Sequence, residues 1–324
     1  MRCPECELPL DADWSCVNHH AWPLVDGVRQ CINADLSRTL DPFLKAFRTY
    51  RGVAGERLLE PGMYNRLPES GMDIDPGLWQ LRKYDLEVLV NLLSPVCHPE
   101  EALRRRISPQ PARHFLKDPS SKTRQDDRVE DKSASFPLRI LDIGAWNGWL
   151  SHRLAALGHT VTATDVFTDA HDGLGAVQHY PAKFIAVQAD QERLHLFDGP
   201  YDLIIAQRCM GYMVHIARSM DQMKGLLAPG GTLMLTGLNI FRDPRSIRKH
   251  FAQSALRFTE QYGLPFFFKN VKGYLDLDDQ RTLEQCGVQL LPYPQLKWKN
   301  FISGPFKRKP VYYYGIWHRP LNGG

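Results

Sequence analysis

One strand–turn–helix pattern near the middle of the chain constrains the fold more than any other feature. Residues 138–143 are a short, mainly apolar run of the kind that forms a strand buried in a parallel sheet. A turn that contains Gly144 and Gly148 follows, and residues 148–157 have helical character up to Gly158. A strand, a glycine turn and a helix in this order predict an α/β domain.

Further apolar runs continue the alternation of strands and helices. Four more strands are predicted at residues 160–164, 184–188, 202–206 and 232–237. Residues 289–291 and the Tyr-rich residues 311–317 are predicted to close the sheet as an antiparallel pair. The predicted fold class is therefore α/β, with a Rossmann-like, seven-stranded sheet and helices on both faces.

Acidic residues follow three of these predicted strands. Asp142 lies at the end of the first strand, where a carboxylate can receive an ammonium group, and the helix start after the turn attracts an anionic group. Asp165 follows about twenty residues later, where an acid accepts hydrogen bonds from ribose hydroxyls. Asp190 ends the third strand, where a carboxylate can accept from an adenine amino group.

The ordered set of motifs resembles the class I S-adenosylmethionine (SAM)-dependent methyltransferases of the type 11 kind. The matches are the Asp-x-Gly loop, the acids after strands two and three, and the Leu-x-Pro-Gly-Gly segment before strand five. The resemblance covers roughly residues 138–324 and implies SAM as cofactor. It also implies a set of cofactor-binding residues, namely Asp142, Gly144, Ala145, Trp146, Gly148, Asp165, Asp190 and Gln207.

Two alternatives concern the glycine loop. A nicotinamide-dependent dehydrogenase carries Gly-x-Gly-x-x-Gly, whereas this loop reads Gly144-x-x-x-Gly148 with an acid before its first glycine. Trp146 stands where many SAM-dependent methyltransferases have a third glycine. A non-catalytic binding module with the same fold is therefore a further hypothesis.

The acceptor is predicted to be a small or medium metabolite of natural-product or cell-envelope type. The residues after strand four, from Gln207 to Met210, lack the Asn/Asp-Pro-Pro-aromatic tetrapeptide of enzymes that methylate base amines. If the acceptor must lose a proton, His171, His179 and His215 are candidate bases, although a structural role is expected for each taken singly.

The N-terminus has metal-ligand spacing. Cys3 and Cys6 are separated by two residues, and Cys16 and His20 supply a third thiolate and an imidazole for a tetrahedral zinc ion. The pattern resembles the zinc ribbon of bacterial 23S rRNA guanine-N1 methyltransferases, which by that match makes His20 the ligand. His19 is the alternative histidine, and Cys31 is a substitute ligand. Zn²⁺ would be structural, and the ribbon supports an alternative function as an rRNA or tRNA methyltransferase.

Four regions are predicted along the chain: a zinc ribbon at 1–33, a helical cap or connector at 34–107, a flexible linker or insertion at 108–137, and the SAM-dependent methyltransferase domain at 138–324. Within the second region, Asp41-Pro42 predicts a helix start and residues 78–93 predict another helix. Trp79 and Arg82 on that helix could cap the site, and an exposed ion pair is expected for Arg82.

The composition of the chain indicates its cellular compartment and the kinds of partner it can bind. The odd number of cysteines, seven, argues against a disulfide framework, and no apolar run follows Met1 as a signal peptide would require. No apolar run is long enough for a transmembrane segment. Together these features predict a cytoplasmic protein. The formal charge of +4 permits an anionic partner without requiring one. Basic and aromatic residues alternate over 297–309, which suits a nucleic-acid strand, a phosphorylated small molecule, an anionic membrane surface or a solvated edge.

Overall fold

The computed structural model describes residues 1–53, 60–93, 137–303 and 309–321. Met1–Leu86 together with Pro137–Gly324 forms one compact unit, and Glu87–Phe136 forms a second. The predicted linker at 108–137 lies outside the described residues except for Pro137.

A single twisted sheet organises the first unit. The strands in the described residues are β1 (Leu24–Val25), β2 (Val28–Gln30), β3 (Arg139–Ile143), β4 (Thr160–Asp165), β5 (Ile185–Gln188), β6 (Tyr201–Gln207), β7 (Leu227–Phe241), β8 (Leu275–Asp276), β9 (Gln289–Pro292) and β10 (Val311–His318). Their order is β1-β2-β5-β4-β3-β6-β7-β10-β9, and β8 pairs with β7. The predicted α/β fold with its seven-stranded core, β5-β4-β3-β6-β7-β10-β9, is confirmed.

The strand sequences explain their places in the sheet. Ile140, Leu141 and Ile143 of β3 are fully buried although they point to alternate faces, as a central parallel strand requires. The predicted closing pair is confirmed, because β10 runs antiparallel between β7 and β9. β7 is longer than predicted, since Leu227 already pairs with Tyr201 and the far end pairs with β8 and β10.

The described helices are α1 (Ala34–Val53), α2 (Pro61–Tyr64), α3 (Pro76–Leu93), α4 (Trp149–Ala156), α5 (Ile216–Gly225), α6 (Arg245–Tyr262), α7 (Leu277–Gln285) and α8 (Lys297–Ser303). The predicted helix start at Asp41-Pro42 is wrong, because α1 begins at Ala34 and Pro42 lies inside it. The true start is capped by Asn33, whose Oδ1 accepts from the Leu36 backbone at 3.0 Å. None of these helices is long and apolar enough to cross a bilayer.

The N-terminal segment extends the sheet. β2 pairs in parallel with β5, so that Val28 lies opposite Ala186 and Gln30 opposite Gln188. Cys3, Cys16 and Trp22 belong to the same buried cluster as core residues of the sheet. Within the described residues, the candidate metal module is therefore part of the same compact unit as the candidate cofactor edge.

Candidate functional site

The glycine turn after β3 is built by backbone geometry that a side chain would disturb. Gly144 and Gly148 have positive φ angles of 69° and 76°. The backbone N–H groups of Gly144 and Ala145 donate to the carbonyl of Thr164, at 2.9 and 3.1 Å. A Cβ on Gly144 would lie 2.6 Å from the Cβ of Cys209, so only glycine fits both the angle and the space.

Trp146 adopts the left-handed backbone conformation that the family pattern reserves for glycine, with a φ of 51°. Its backbone N–H donates to Oδ2 of Asp165 at 2.8 Å, and the Phe167 N–H donates to Oδ1 at 3.0 Å. Burial raises the pKa of Asp165 above its ordinary value. Asp165 thus ties the glycine turn to the end of β4 and keeps lone pairs for further hydrogen bonds.

Asp142 lies fully buried beneath the turn. Ser151 donates its hydroxyl to Oδ2 of Asp142 at 2.6 Å, and the side-chain amide of Gln207 donates to Oδ1 at 3.4 Å. Burial raises the pKa of Asp142 from 3.8 to about 7, against the lowering effect of those two hydrogen bonds. The side-chain oxygen of Gln207 accepts from the Trp149 indole at 2.9 Å, which fixes the orientation of its amide.

Arg82 of α3 is buried at this edge, so the expected exposed ion pair is wrong. Its side chain is 8% exposed, and its guanidinium carbon lies 4.2 Å from the ring centroid of Trp146 and 5.2 Å from that of Trp79. Nη1 donates to the Gln207 oxygen at 3.2 Å, while Nε has no partner in the described residues. No carboxylate among the described residues lies within ion-pair distance of Arg82. Burial lowers the pKa of Arg82 to about 9, and the nearby charge of Arg208 acts in the same direction.

A buried polar network holds α3 in place. Arg208 donates from Nε to Oδ2 of Asp85 at 2.7 Å, and the Tyr293 hydroxyl donates to the other carboxylate oxygen. The backbone N–H of Gly237 donates to the Tyr293 oxygen at 2.9 Å. Asp85 therefore connects α3 to the residues that directly follow β6 and β9, which positions Arg82 one helical turn earlier. Sequence reasoning did not find this network.

A cavity of about 670 Å³ lies over the carboxyl edge of the sheet. Among the predicted cofactor residues, those that line it are Gly144, Trp146, Asp165, Asp190 and Gln207. Asp142, Ala145 and Gly148 support the turn from outside this lining. A further part of the lining, the aromatic wall, comes from α1, α6 and the segment after α6, with Phe43, Phe47, Tyr50, Phe251, Phe266, Phe267, Phe268 and Tyr274. Its volume and mixed lining are typical of a small-molecule site.

Asp190 is paired in this structure with Lys269, whose ammonium contacts its carboxylate. Both side chains are largely buried and line the cavity. Lys269 directly follows the three phenylalanines at 266–268. The ion pair therefore holds the aromatic wall against the end of β5.

The predicted catalytic histidines do not line this cavity. His171 and His179 stack on each other outside it, with ring centroids 5.8 Å apart. His215 precedes α5 beside a separate cavity of about 320 Å³. Among the described histidines, His250 of α6 lines the large cavity. His250 could not be predicted from the sequence, because it is one polar residue in an amphipathic helix and belongs to no motif.

Cys209 is buried beside the turn, and its thiol contacts the Ile143 carbonyl at 3.6 Å. Burial raises its pKa well above the ordinary value, with the charges of Asp165 and Asp142 acting in the same direction. A thiol held in its protonated form is a poor nucleophile. Cys209 therefore packs the turn.

The four predicted metal ligands come together. The ligand atoms of Cys3, Cys6, Cys16 and His20 all lie within 4.8 Å of one another. The Nδ1 atom of His20 is 3.4 Å from the Cys3 sulfur and 3.5 Å from the Cys16 sulfur, and the sulfurs of Cys6 and Cys16 are 3.7 Å apart. Bonds of about 2.3 Å from a tetrahedral zinc ion to sulfur place the ligand atoms about 3.7 Å apart. These three separations are close to the ones that such an ion would require.

The alternative ligands lie apart from this group in the described residues. His19 is exposed and has a left-handed backbone, with a φ of 62°. Cys31 is buried, its backbone N–H bonds to the Gln188 carbonyl, and burial raises its pKa to about 12. Neither residue belongs to the cluster of four.

A family model described as a methyltransferase domain matches residues 100–269, just over half of the chain. The chain belongs to this methyltransferase family. It carries a SAM-dependent methyltransferase domain, and its α/β sheet has the seven-stranded core that the class I resemblance implied.

Three curated relatives match parts of the methyltransferase. It is 30% identical over 129 residues to the ubiquinone biosynthesis O-methyltransferase of Caulobacter sp. (strain K31), covering 37% of the chain and 48% of the relative. It is 33% identical over 101 residues to the malonyl-[acyl-carrier protein] O-methyltransferase of Geobacter sulfurreducens, covering 29% and 36%. It is 30% identical over 137 residues to the highly reducing polyketide synthase verA of Penicillium polonicum, covering 38% and 5%. The match spans less than half the length of each relative.

Solved methyltransferase structures also align with the chain. Phosphoethanolamine N-methyltransferase 2 of Haemonchus contortus in complex with SAM aligns with a TM-score of 0.39 and 15% identity, covering 57% of this chain and 49% of that one. A SAM-dependent methyltransferase of Methanosarcina mazei aligns with the same TM-score and identity, covering 57% and 94%.

Proposed function

We propose that the methyltransferase transfers a methyl group from SAM to a small or medium, largely apolar metabolite. The observation that carries this proposal is the cavity of about 670 Å³, whose lining combines polar residues of the turn with the aromatic wall. A hydrophobic acceptor fits such a wall, since each aromatic side chain offers a large apolar contact surface. One relative is named for ubiquinone biosynthesis and another for polyketide synthesis, which agrees with an apolar acceptor.

The residues at the sheet edge fit the polar groups of SAM. Asp165 has free lone pairs for ribose hydroxyls, and Asp190 is available to the adenine amino group if Lys269 shifts. Gln207 lines the cavity with Gly144 and Trp146, and its amide donates to Asp142, which is buried behind the turn. The ammonium group would be received near Gln207, with the charge of Asp142 acting on it from outside the lining.

Arg82 adds a partner that the sequence pattern did not indicate. A buried guanidinium that lacks a carboxylate among the described residues, and that lines the cavity, suits the methionyl carboxylate. The first backbone N–H of α4 is already bonded to Asn147 at 3.2 Å, which leaves the helix start less open to that carboxylate than the sequence suggested.

SAM supplies an electrophilic methyl group on a sulfonium when bound. The protein contributes position and exclusion of water, because the aromatic wall lines the space in front of the turn. His250 is placed at the cavity to accept a proton from a hydroxyl acceptor. Its exposure to solvent gives the proton a route to water.

We further propose that Cys3, Cys6, Cys16 and His20 hold a structural Zn²⁺ through three sulfurs and Nδ1. The interatomic distances of the cluster support this proposal, as does the chemistry of three thiolates and an imidazole. All four positions are protein atoms, so the ion would have no open site for catalysis. Its role would be to stabilise the segment that precedes β1 and β2 at the sheet edge.

Formation of S-adenosylhomocysteine from SAM in the presence of defined acceptors tests the proposed function. The acceptors are catechols with alkyl chains of increasing length and the fatty acids of matching length. We expect kcat/KM to rise with chain length, by roughly fourfold for each buried methylene. The Phe267→Ala variant should weaken that dependence. A rate that is independent of chain length in the wild-type protein would contradict an apolar acceptor.

A further inference from the structure

Helix α8 turns its apolar side chains outward. Trp298, Phe301 and Ile302 are 77%, 75% and 57% exposed. Their spacing of three and four residues puts them on one face of the helix. The rings of Trp298 and Phe301 meet edge to face with centroids 6.0 Å apart, and Ile302 is exposed on the same face, so we treat the three side chains as one apolar patch.

The inner face of α8 is held by a polar contact. Asn300 donates its amide to the Tyr312 carbonyl and accepts from the Tyr312 N–H, both at 2.9 Å. An ordinary surface helix buries its apolar stripe and exposes its polar face. α8 has the opposite arrangement, because its amide is fixed to β10 and its apolar residues face away. Exposed apolar patches of this kind mark interaction sites.

Positive charge borders the patch. At about 100° per residue, Lys297 and Lys299 lie on the two flanks of the apolar stripe. Both lysines and Lys309 are exposed. No aspartate or glutamate occurs in the sequence after Glu284. A partner of this surface should therefore be anionic and should present an apolar layer behind its charge.

We propose that α8 docks the methyltransferase on an anionic lipid bilayer. Tryptophan is favoured at the boundary between headgroups and acyl chains, and lysines on the flanks reach anionic headgroups. The exposed aliphatic Ile302 favours lipid over RNA, since it offers no ring for base stacking. The inference stands apart from the proposed function, although membrane contact would bring the enzyme close to apolar acceptors.

Vesicle co-sedimentation tests the proposal with the full chain. The vesicles contain phosphatidylcholine alone or an equal mixture with phosphatidylglycerol. The variants are Trp298→Ser with Phe301→Ser, Lys297→Gln with Lys299→Gln, and the matched control Leu256→Ser, which removes a 60% exposed leucine from α6. All substituted side chains are exposed, so circular dichroism and thermal unfolding should match the wild type.

The wild-type protein should bind the anionic vesicles at least about tenfold more tightly than the neutral ones. The double serine variant should lose about tenfold or more on anionic vesicles, and the double glutamine variant should lose the preference for them. Leu256→Ser should bind like the wild type. Equal binding by the wild type and the serine variant would overturn the proposal. So would binding of a single-stranded RNA that depends on α8 without binding to vesicles.

Discussion

The guanidinium carbon of Arg82 lies 4.2 Å from the ring centroid of Trp146. This contact explains how a tryptophan can occupy a glycine position in the turn. The backbone of Trp146 keeps the left-handed conformation and its hydrogen bond to Asp165, while the indole lies against a buried cation. The turn therefore retains the shape that the family pattern requires, which removes the main structural reason for a non-catalytic binding module.

Arg82→Met should separate the recognition of the methionyl group from that of the nucleoside. S-Adenosylhomocysteine should bind about 10- to 100-fold more weakly, since a charge-assisted hydrogen bond is lost. Methylthioadenosine, which lacks the carboxylate, should bind as it does to the wild type. Both affinities are measured by calorimetry. Equal losses for the two ligands would contradict the assignment of Arg82 to the carboxylate.

The same variant should fold without loss of stability. Its guanidinium is buried without a carboxylate partner in the described residues, so removing the charge removes a desolvation cost. The melting temperature of the ligand-free protein should be unchanged or higher. Arg82→Lys serves as the control, because it keeps the charge and should restore part of the affinity for S-adenosylhomocysteine.

Asp165→Ala should weaken S-adenosylhomocysteine and methylthioadenosine alike, by about tenfold or more, because both carry the ribose hydroxyls. Part of this loss of affinity should come from a less well fixed turn, because Asp165 also accepts a hydrogen bond from the Trp146 backbone. Asp202→Ala is the matched control: Asp202 accepts from the Arg139 backbone at the opposite end of β3, and its loss should leave binding intact. Unchanged affinity in Asp165→Ala would remove the ribose assignment.

Asp142 should give cofactor binding a pH dependence. Its pKa near 7 means that it is partly protonated below neutrality, and a protonated Asp142 lacks the negative charge that would attract an ammonium group held near Gln207. The affinity for S-adenosylhomocysteine should therefore rise with pH up to about 7 and then level off. Asp142→Asn should bind more weakly and lose this slope. The same slope in both proteins would exclude Asp142 as its source.

The raised pKa of Asp142 also predicts the stability of the ligand-free protein. Because the pKa in the folded state exceeds the ordinary value of 3.8, the folded state binds more protons between about pH 4 and pH 7. The contribution of Asp142 to the free energy of unfolding should therefore decrease as the pH rises from about 4 to about 7. Urea unfolding at several pH values measures it, and the difference between wild type and Asp142→Asn should flatten above pH 7.

Elemental analysis should find close to one zinc ion per chain. Cys16→Ser should lose the metal and lower the melting temperature by several degrees, because β2 then lacks its support at the edge beside β5. Cys286→Ser is the control, since Cys286 lies outside the cluster and should leave the zinc content unchanged. Metal-free wild-type protein with full stability would contradict a structural zinc.

Much of the sheet was predictable because its information is local. Buried strands such as β3 are visible in the sequence as short apolar runs. The acidic residues at the strand ends can be located because each one directly follows such a run. The zinc ligands were likewise visible as spacing within twenty residues. These features depend on neighbours in sequence, so a single sequence carries them.

The remaining features depend on residues that are distant in the chain. The start of α1 was misplaced because Asp41-Pro42 imitates a helix cap and competes with the local Asn33 cap, while the further contact of Ala34 with Glu5 comes from 29 residues away. The burial of Arg82 follows from contacts of Asp85 with Arg208 and Tyr293, which are 123 and 208 positions away. No local pattern encodes such partners. The pairing of β2 with β5 was missed for the same reason.

The proposed reaction is methylation of a small apolar molecule in the cavity over the sheet edge. Transfer of radiolabelled methyl from SAM into an extract of the source organism tests it most directly, with the label then separated into RNA, protein, lipid and small-molecule fractions. Label in the lipid or small-molecule fraction that is lost with Asp165→Ala is the predicted result. Label in the RNA fraction would contradict the proposal. So would the absence of label from every fraction, provided that the wild-type protein used binds S-adenosylhomocysteine.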